Sequence, residues 1–363
     1  MKFRCERDLL VEALNIAGKA VTNRGTLPVL HGLRLDLSDN DLVITGSDLD
    51  LTITVSLEVG GEKNGVTVVP AKLLADVVRA VEPGAVDITT EETNLHVVAG
   101  RSEFSLRTIP KDEYPNFEEP STSPVTVDGE NLVKALEQVT PAASSDDSRP
   151  ILTGVYMVAE KEGFRLVATD SYRLAVRDMP GASLLEGQPP ILVPSRALTE
   201  LARLIESDDD VSLYLSEREA SFVVKNVRMT TRLIDGEFPD YQRLVPDSNP
   251  NKLTANRGEL FDAVRRVRLL AQEATPVRLE MSNNGLELIA KTQDIGEAHE
   301  IVDATYTGDE LIIAFNAEYL LKGLEIAPGE EVTLETTDNQ KPAVLRAPEH
   351  PEFLYLLMPV RIS

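Results

Sequence analysis

The side chains that could do chemistry in this sequence are few, and they do not converge. The four histidines, His31, His96, His299 and His350, stand far apart, and none pairs with another at the spacing of a metal site. No glycine-rich phosphate loop follows a strand pattern, and no Gly-x-Ser-x-Gly turn occurs. Asp208-Asp209-Asp210 and Glu91-Glu92 lack the alternation of a calcium loop and read as solvated turns. Cys5 is the only cysteine, which excludes an internal disulfide and a cysteine-based zinc centre. Carboxylates abound, but no motif marks an acid/base pair. The expectation is a protein with no catalytic residues, no metal and no cofactor; an enzyme built on unmarked carboxylates is the alternative. One stretch stands out. Tyr172-Arg173-Leu174 sets an aromatic, an arginine and a leucine side by side, which suits the anchoring of a short apolar peptide. They follow Asp170-Ser171, which is turn chemistry, so Leu166 to Val176 reads as two strands around a turn. In the first strand Arg165, Val167 and Thr169 alternate with Leu166 and Ala168, the pattern of a half-buried strand. An ordinary core hairpin is the alternative.

The elements that must position this turn recur. Leu27-Pro28-Val29-Leu30-His31-Gly32-Leu33 has a counterpart in Arg149-Pro150-Ile151-Leu152-Thr153-Gly154-Val155, and a weaker one in Thr275-Pro276-Val277-Arg278-Leu279. The prolines lie 122 (150 − 28) and 126 (276 − 150) positions apart, and Asp48 and Asp170 are again 122 apart (170 − 48). Pro70, Pro194-Ser195 and Asn316 each open an amphipathic helix, as first-turn or capping residues do. Tyr114-Pro115 and Phe238-Pro239 recur near the ends of the first two copies. Each copy begins with a further helix: Glu6 to about Thr22, Gly129 to about Thr140, and Arg257 to about Ala271. Leu9, Leu10, Ala13, Leu14 and Ala17 form the apolar stripe of the first. Each unit reads helix, strands, helix, strands: an α+β repeat with mostly antiparallel strands. Three domains are expected, at 1–119, 125–247 and 252–363, with linkers at Glu118 to Pro124 and Pro246 to Asn251.

Charge narrows the partners. The 363 residues carry a formal net charge of -24, which repels DNA in bulk. No run approaches the roughly 18 apolar residues of a membrane helix, and the N-terminus has no signal-peptide pattern. With its single cysteine, the chain is expected in the reducing cytoplasm, away from membranes. Basic side chains nevertheless gather on the helices. Lys19 and Arg24 close the first helix, and Lys72 and Arg79 lie on the second. Arg196 and Arg203 occupy the matching helix of copy two, and Arg257, Arg265, Arg266 and Arg268 surround the third N-terminal helix. Aligned on one surface they would make a sequence-blind, phosphate-facing patch; otherwise they solvate helix faces. Few aromatics interleave with them, so stacking of single-stranded bases is not expected.

Taken together these features resemble the bacterial DNA polymerase processivity clamps, the beta subunits of DNA polymerase III. The residues that carry the resemblance are Met1-Lys2-Phe3, Thr26-Leu27-Pro28-Val29-Leu30, Ala168 to Ala175, Gly236-Glu237-Phe238-Pro239-Asp240-Tyr241 and the ending Leu357-Met358-Pro359-Val360-Arg361. They span the whole chain. The resemblance implies three clamp domains per chain and a head-to-tail homodimer closed into a six-domain ring. Helices would line the hole and sheets would form the rim. Such a ring holds duplex DNA by topology and tethers the replicative polymerase; it has no catalytic site. A clamp loader and other proteins carrying a short clamp-binding peptide are the further partners implied. A peptide-binding scaffold that never encircles DNA is a third reading of the residues.

The resemblance also implies sites. The peptide, a glutamine followed by leucines and phenylalanine, would dock on Leu152, Thr169, Ser171, Tyr172, Arg173, Leu174, Pro239, Arg243 and Leu244. The third domain would add Asn316, Tyr319, Pro342, Leu356, Met358, Pro359, Val360 and Arg361. Phe104 and Leu106 on an edge strand would meet Leu269 and Leu270 of a second copy. Arg24 and Arg149 match loop positions that face DNA, beside the basic helix residues Lys19, Lys72, Arg79, Arg196, Arg203, Arg265 and Arg266. The chain departs from the family pattern in places. Ser171 stands where glycine is common, the loop Gln272 to Thr275 has no aromatic, Asp146 and Asp147 precede Arg149, and Ser363 extends past the usual end.

Overall fold

The computed structural model describes all residues except 23–26, 118, 119, 121, 182–184, 186, 247, 248, 272–274, 362 and 363. In the first copy β1 (Lys2–Glu6) runs into α1 (Arg7–Gly18). There follow β2 (Gly32–Ser38), β3 (Asp41–Ser47), β4 (Leu51–Glu58), β5 (Gly60–Lys63), β6 (Gly65–Pro70), α2 (Ala71–Ala80), β7 (Ala85–Glu91), β8 (Asn94–Ala99) and β9 (Ser102–Arg107). The second copy has β10 (Val125–Asp128), α3 (Gly129–Val139), β11 (Gly154–Glu160), β12 (Gly163–Thr169), β13 (Arg173–Pro180) and β14 (Ile191–Pro194). It continues with α4 (Ser195–Ala202), β15 (Asp210–Leu215), β16 (Glu219–Val224) and β17 (Val227–Arg232). The third has β18 (Asn251–Asn256), α5 (Arg257–Val267), β19 (Val277–Ser282), β20 (Gly285–Thr292), β21 (Gly296–Val302), β22 (Ala304–Thr307) and β23 (Leu311–Phe315). It closes with α6 (Ala317–Ile326), β24 (Glu331–Thr336), β25 (Ala343–Ala347) and β26 (His350–Leu357).

The repeating order matches the spacing in the sequence, with corrections. Each copy opens with a strand, β1, β10 or β18, that periodicity does not reveal. These strands are four to six residues long and run straight into a helix, so the two patterns merge. Leu9 is half exposed; the buried stripe of α1 is Leu10, Ala13, Leu14 and Ala17, and the helix stops at Gly18 rather than Thr22. β12 is buried on both faces from Leu166 to Thr169, at the interior of its sheet between β11 and β13. Asn251 is no linker residue. It starts β18, 5% exposed, donating its amide to Thr337 O at 3.1 Å and accepting from Asp309 N at 3.0 Å. Asp209 is not simply solvated: it accepts from Glu206 N at 2.9 Å and faces Lys225 at 3.3 Å.

Compactness does not follow the repeats. One unit holds Met1–Glu130 and Arg203–Leu233; the other holds Asn131–Ala202 and Ile234–Ser363. Hydrogen bonding explains the division. In the first unit the last strands of the middle copy continue the first copy's sheet, in the order β10-β15-β16-β17-β4-β3-β2-β6, beside a sheet β5-β1-β7-β8-β9. In the second unit β14-β11-β12-β13-β26-β25-β24-β18-β22 forms one sheet and β21-β20-β19-β23 another. Both long sheets are joined in the same antiparallel manner. β17 pairs with β4, setting Met229 opposite Ile53, and β26 pairs with β13, setting Leu356 opposite Leu174. Those side chains are at most 1% exposed, and burying each stabilises the fold by about 1.5–3 kcal/mol. α1 packs on α2 in the first unit, and α5 on α6 in the second.

Candidate docking site and candidate nucleic-acid face

The β12–β13 turn is built by two side chains. Asp170 accepts the backbone N–H groups of Tyr172 at 2.9 Å and Arg173 at 3.0 Å through one oxygen. Its other oxygen holds Arg173 Nε at 2.9 Å, and both side chains of the pair are at most 15% exposed. Thr169 donates its hydroxyl to Arg173 O at 2.7 Å and accepts from Ser171 N at 3.2 Å. The turn closes through Ser171 at φ +80°, a left-handed conformation that favours glycine. The first copy uses the same kit. Asp48 accepts from Asp50 N and Leu51 N, and Leu49 sits at φ +79°. What differs is the display, Tyr172-Arg173 in one copy and Asp50-Leu51 in the other. Tyr172 projects outward, 57% exposed.

The opposite wall comes from the third copy. Asn316 caps α6, accepting from Glu318 N at 2.9 Å and Tyr319 N at 3.3 Å, which fixes Tyr319 in the first turn. Gly323 lets the same helix approach Tyr355; a Cβ there would lie 2.6 Å from the ring. Tyr355 is fully buried and donates to Tyr319 O at 3.1 Å; burial pushes its phenol up to about 12. Tyr319 stacks on Tyr172 with ring centroids 6.2 Å apart, and the Arg173 guanidinium lies 4.6 Å from the Tyr319 centroid. The tail after β26 is pinned to both walls: Met358 N donates to Tyr172 O at 2.9 Å, and Val360 N to Ala314 O at 2.8 Å. Behind the turn, Tyr241 and Val245 pack against Leu174 and Leu356, and Phe238 stacks on Tyr156 at 4.9 Å. The result is a surface of Tyr172, Tyr319, Met358 and Val360, all partly or largely exposed; Leu244 and Arg361 are exposed as well.

Several expected docking residues do other work. Thr169, Leu174 and Leu356 are at most 4% exposed and form the floor beneath the cleft rather than its surface. Arg173 is largely enclosed by Asp170 and Tyr319. Leu152 and Pro342 are half-buried. Pro239 and Arg243 are exposed, with Arg243 held by Asp240 at 2.7 Å, and Pro359 is half-buried. Arg149 is the main surprise. Expected beside DNA, its guanidinium reaches to 3.5 Å of Ser171 Oγ and is held by Asp146 at 2.9 Å. Burial above all raises the Tyr319 phenol, and the charges of Arg173 and Arg149 oppose that. Arg149 therefore stands beside the turn, still largely exposed. The clue in the sequence was Asp146, three residues away, which draws the side chain back.

The basic residues divide between the two units, and only some of them are brought together. In the first, Lys19, Lys72 and Arg79 line an open cleft of 560 Å³ between α1 and α2, with His31. Arg79 donates to Asn15 at 2.7 Å and Asp76 at 3.1 Å. Arg203 is exposed just past α4, and Arg24 lies outside the described residues. In the second, Arg196 is exposed on α4, Arg265 faces Asp262 at 3.1 Å and Arg266 is engaged by Glu300 on β21. Of the expected subunit-contact residues, Leu269 is 83% exposed and Leu270 half-buried. Phe104 is half-buried, but Leu106 is only 6% exposed and already serves its own core. Both lie on β9, the free edge of its sheet, and β21 is likewise an edge. The loop 272–274 and Ser363 lie outside the described residues.

Little else is poised for chemistry. Among the described residues, no group of three or more His, Cys, Asp or Glu could hold a metal, and no helix is long and apolar enough to cross a membrane. Cys5 is buried, which pushes its thiol up to about 12. His299 bridges Glu287 and Glu297, each at 2.8 Å.

Known proteins agree with this arrangement along the whole chain. The N-terminal, central and C-terminal domains of the DNA polymerase III beta subunit match residues 1–118, 126–240 and 242–361. A beta sliding clamp of Streptomyces coelicolor is 37% identical over 100% of both chains, and one of Staphylococcus epidermidis is 31% identical over 99% of both. Among solved structures, the DNA polymerase sliding clamp of Bacillus subtilis superposes with a TM-score of 0.95 at 30% identity, covering both chains fully. The Bartonella birtlesii sliding clamp, solved bound to griselimycin, gives 0.95 at 34% identity with the same coverage. The chain belongs to the DNA polymerase III beta subunit family, the bacterial beta sliding clamps.

Proposed function

We propose that this chain is a non-catalytic DNA sliding clamp that encircles duplex DNA and confers processivity on the replicative polymerase. The full-length likeness to sliding clamps carries this reading. Two copies would join head to tail, each supplying three domains, at 1–119, 125–247 and 252–363. A head-to-tail contact is heterologous, and two copies close it only if each spans half a circle. The free edge of β9, with Phe104, and the exposed Leu269 support that contact. Lys19, Lys72, Arg79, Arg196, Arg203 and Arg266 would face the duplex without reading bases. The ring would work in the cytoplasm, opened by a clamp loader. The polymerase and other partners would dock a short peptide on Tyr172, Tyr319, Met358 and Val360, with Arg149 and Arg361 at its edge. The test is retention. Protein loaded on nicked circular DNA should stay through gel filtration and leave when the circle is linearised. Sedimentation equilibrium should give a dimer of the 39.8 kDa chain. A monomer throughout the micromolar range, or equal retention on linear DNA, would overturn the ring.

A further inference from the structure

We propose that a cationic cleft beside the docking site receives an acidic side chain flanking the partner's docking peptide; the inference rests on the docking reading above. The cleft has a volume of 760 Å³, within the usual range for ligand sites. It shares Asn316, Tyr319 and Val360 with the docking surface and continues from them to Arg265 and Arg268. A peptide lying across Tyr319 therefore runs into two guanidinium groups.

Both arginines are available. Their side chains are 62% and 43% exposed, at the end of α5 and in the turn that follows. Each already meets one carboxylate, Asp262 at 3.1 Å for Arg265 and Glu318 for Arg268. Exposed pairs of this kind are weak, and a guanidinium carries five N–H donors, so a second carboxylate can join without displacing the first. On the adjoining side, a cleft of 380 Å³ shows the same two arginines with Arg173 and Lys322. Four cations thus stand around Tyr319, each sharing its charge with one carboxylate: Arg173 with Asp170, Arg265 with Asp262, Arg268 with Glu318 and Lys322 with Glu325. The lining also holds apolar side chains, Leu269 of the proposed subunit contact together with Ala271, Pro276 and Val360. Apolar lining and cation side by side complement a peptide carrying a carboxylate better than a phosphate backbone, which has nothing to lay on Ala271 and Pro276.

The experiment is fluorescence polarisation with synthetic peptides carrying the glutamine–leucine–phenylalanine motif. One peptide is plain, one has two aspartates before the motif, one has two after it, and a matching pair carries lysines. At low salt one of the aspartate peptides should bind about three- to fivefold tighter than the plain one, and its lysine counterpart weaker. The gain should fade at about 0.5 M salt. In the Arg265→Gln, Arg268→Gln double variant the ratio of flanked to plain affinity should fall to one. Because that ratio is taken within each protein, a general loss of folding cancels. Equal affinity for plain and both aspartate peptides, or a gain that survives the double substitution, overturns the inference while leaving docking intact. If the double variant loses retention on circular DNA with its peptide ratio unchanged, the arginines serve the duplex and the inference fails. A plain peptide that does not bind the native protein overturns the docking reading, and this inference with it.

Discussion

Replacing Asp170 by alanine should cost more than any surface carboxylate and should abolish docking. One oxygen of Asp170 holds the Tyr172 and Arg173 amides and the other holds the Arg173 guanidinium. The pair is mostly buried, with side-chain exposures of 10% and 15%. Removing one partner of such a pair leaves a charge enclosed without compensation, which costs about 3–5 kcal/mol. Arg173 can recover part of this from Tyr319, whose ring it covers at 4.6 Å. The expected loss is therefore about 3 kcal/mol. Asp48→Ala is the internal control. It removes acceptors of the same two backbone amides in the first copy, but the residue three positions on is Leu51 rather than arginine. It should cost about 1 kcal/mol and leave docking untouched. The assays are hydrogen exchange at the Tyr172 and Arg173 amides, urea unfolding followed by circular dichroism, and peptide binding by fluorescence polarisation. An Asp170→Ala protein within about 1 kcal/mol of native, with unchanged peptide affinity, would refute the claim that this carboxylate builds the turn.

Deleting the last six residues, Met358 to Ser363, removes the strap between Tyr172 and β23 and should abolish peptide binding while leaving the dimer intact in sedimentation; unchanged affinity would sink the docking assignment. Ser171→Gly relieves a left-handed residue and should stabilise the protein by roughly 0.5 kcal/mol in thermal unfolding, since glycine's extra unfolded-state entropy offsets part of the gain. Gly323→Ala drives a methyl into the Tyr355 ring and should cost about 1–3 kcal/mol, with weaker docking because Tyr319 shifts with α6. His299 has its pKa raised by the hydrogen bonds it donates to Glu287 first and then to Glu297. The bridge between β20 and β21 should thus be complete below the ordinary histidine value and lost as pH rises through the raised folded value. An NMR titration of His299 should show that raised value, and Glu287→Gln should bring it down.

The helices and the capped turns are legible in the chain because their causes are local. Leu10, Ala13, Leu14 and Ala17 mark α1 at helical spacing, Asn316 announces α6, and Asp170-Ser171 announces the turn, each within a few residues. The threefold repeat is legible for the same reason, since the local signals recur at nearly constant distance. The candidate site was half legible. Tyr172, Tyr319, Met358 and Val360 stand at the surface, but Leu174 and Leu356 point into the floor and Leu106 into its own core. Adjacent strand residues face opposite sides, so one position of register decides which leucine is seen by a partner.

What the sequence by itself determined is the set of parts: three copies of one α+β unit and the caps and turns within each. What only the tertiary structure decided is how the parts share sheets. β4 meets β17 and β13 meets β26, each pair more than 170 residues apart in the chain. Those ladders divide the middle copy between two compact units, carry the C-terminal strand beneath Tyr172, and leave Arg149 beside the turn. A hydrogen-bond ladder pairs backbone with backbone, and every peptide offers the same donor and acceptor. The choice of partner strand is therefore settled by packing across the whole fold, beyond the reach of local pattern.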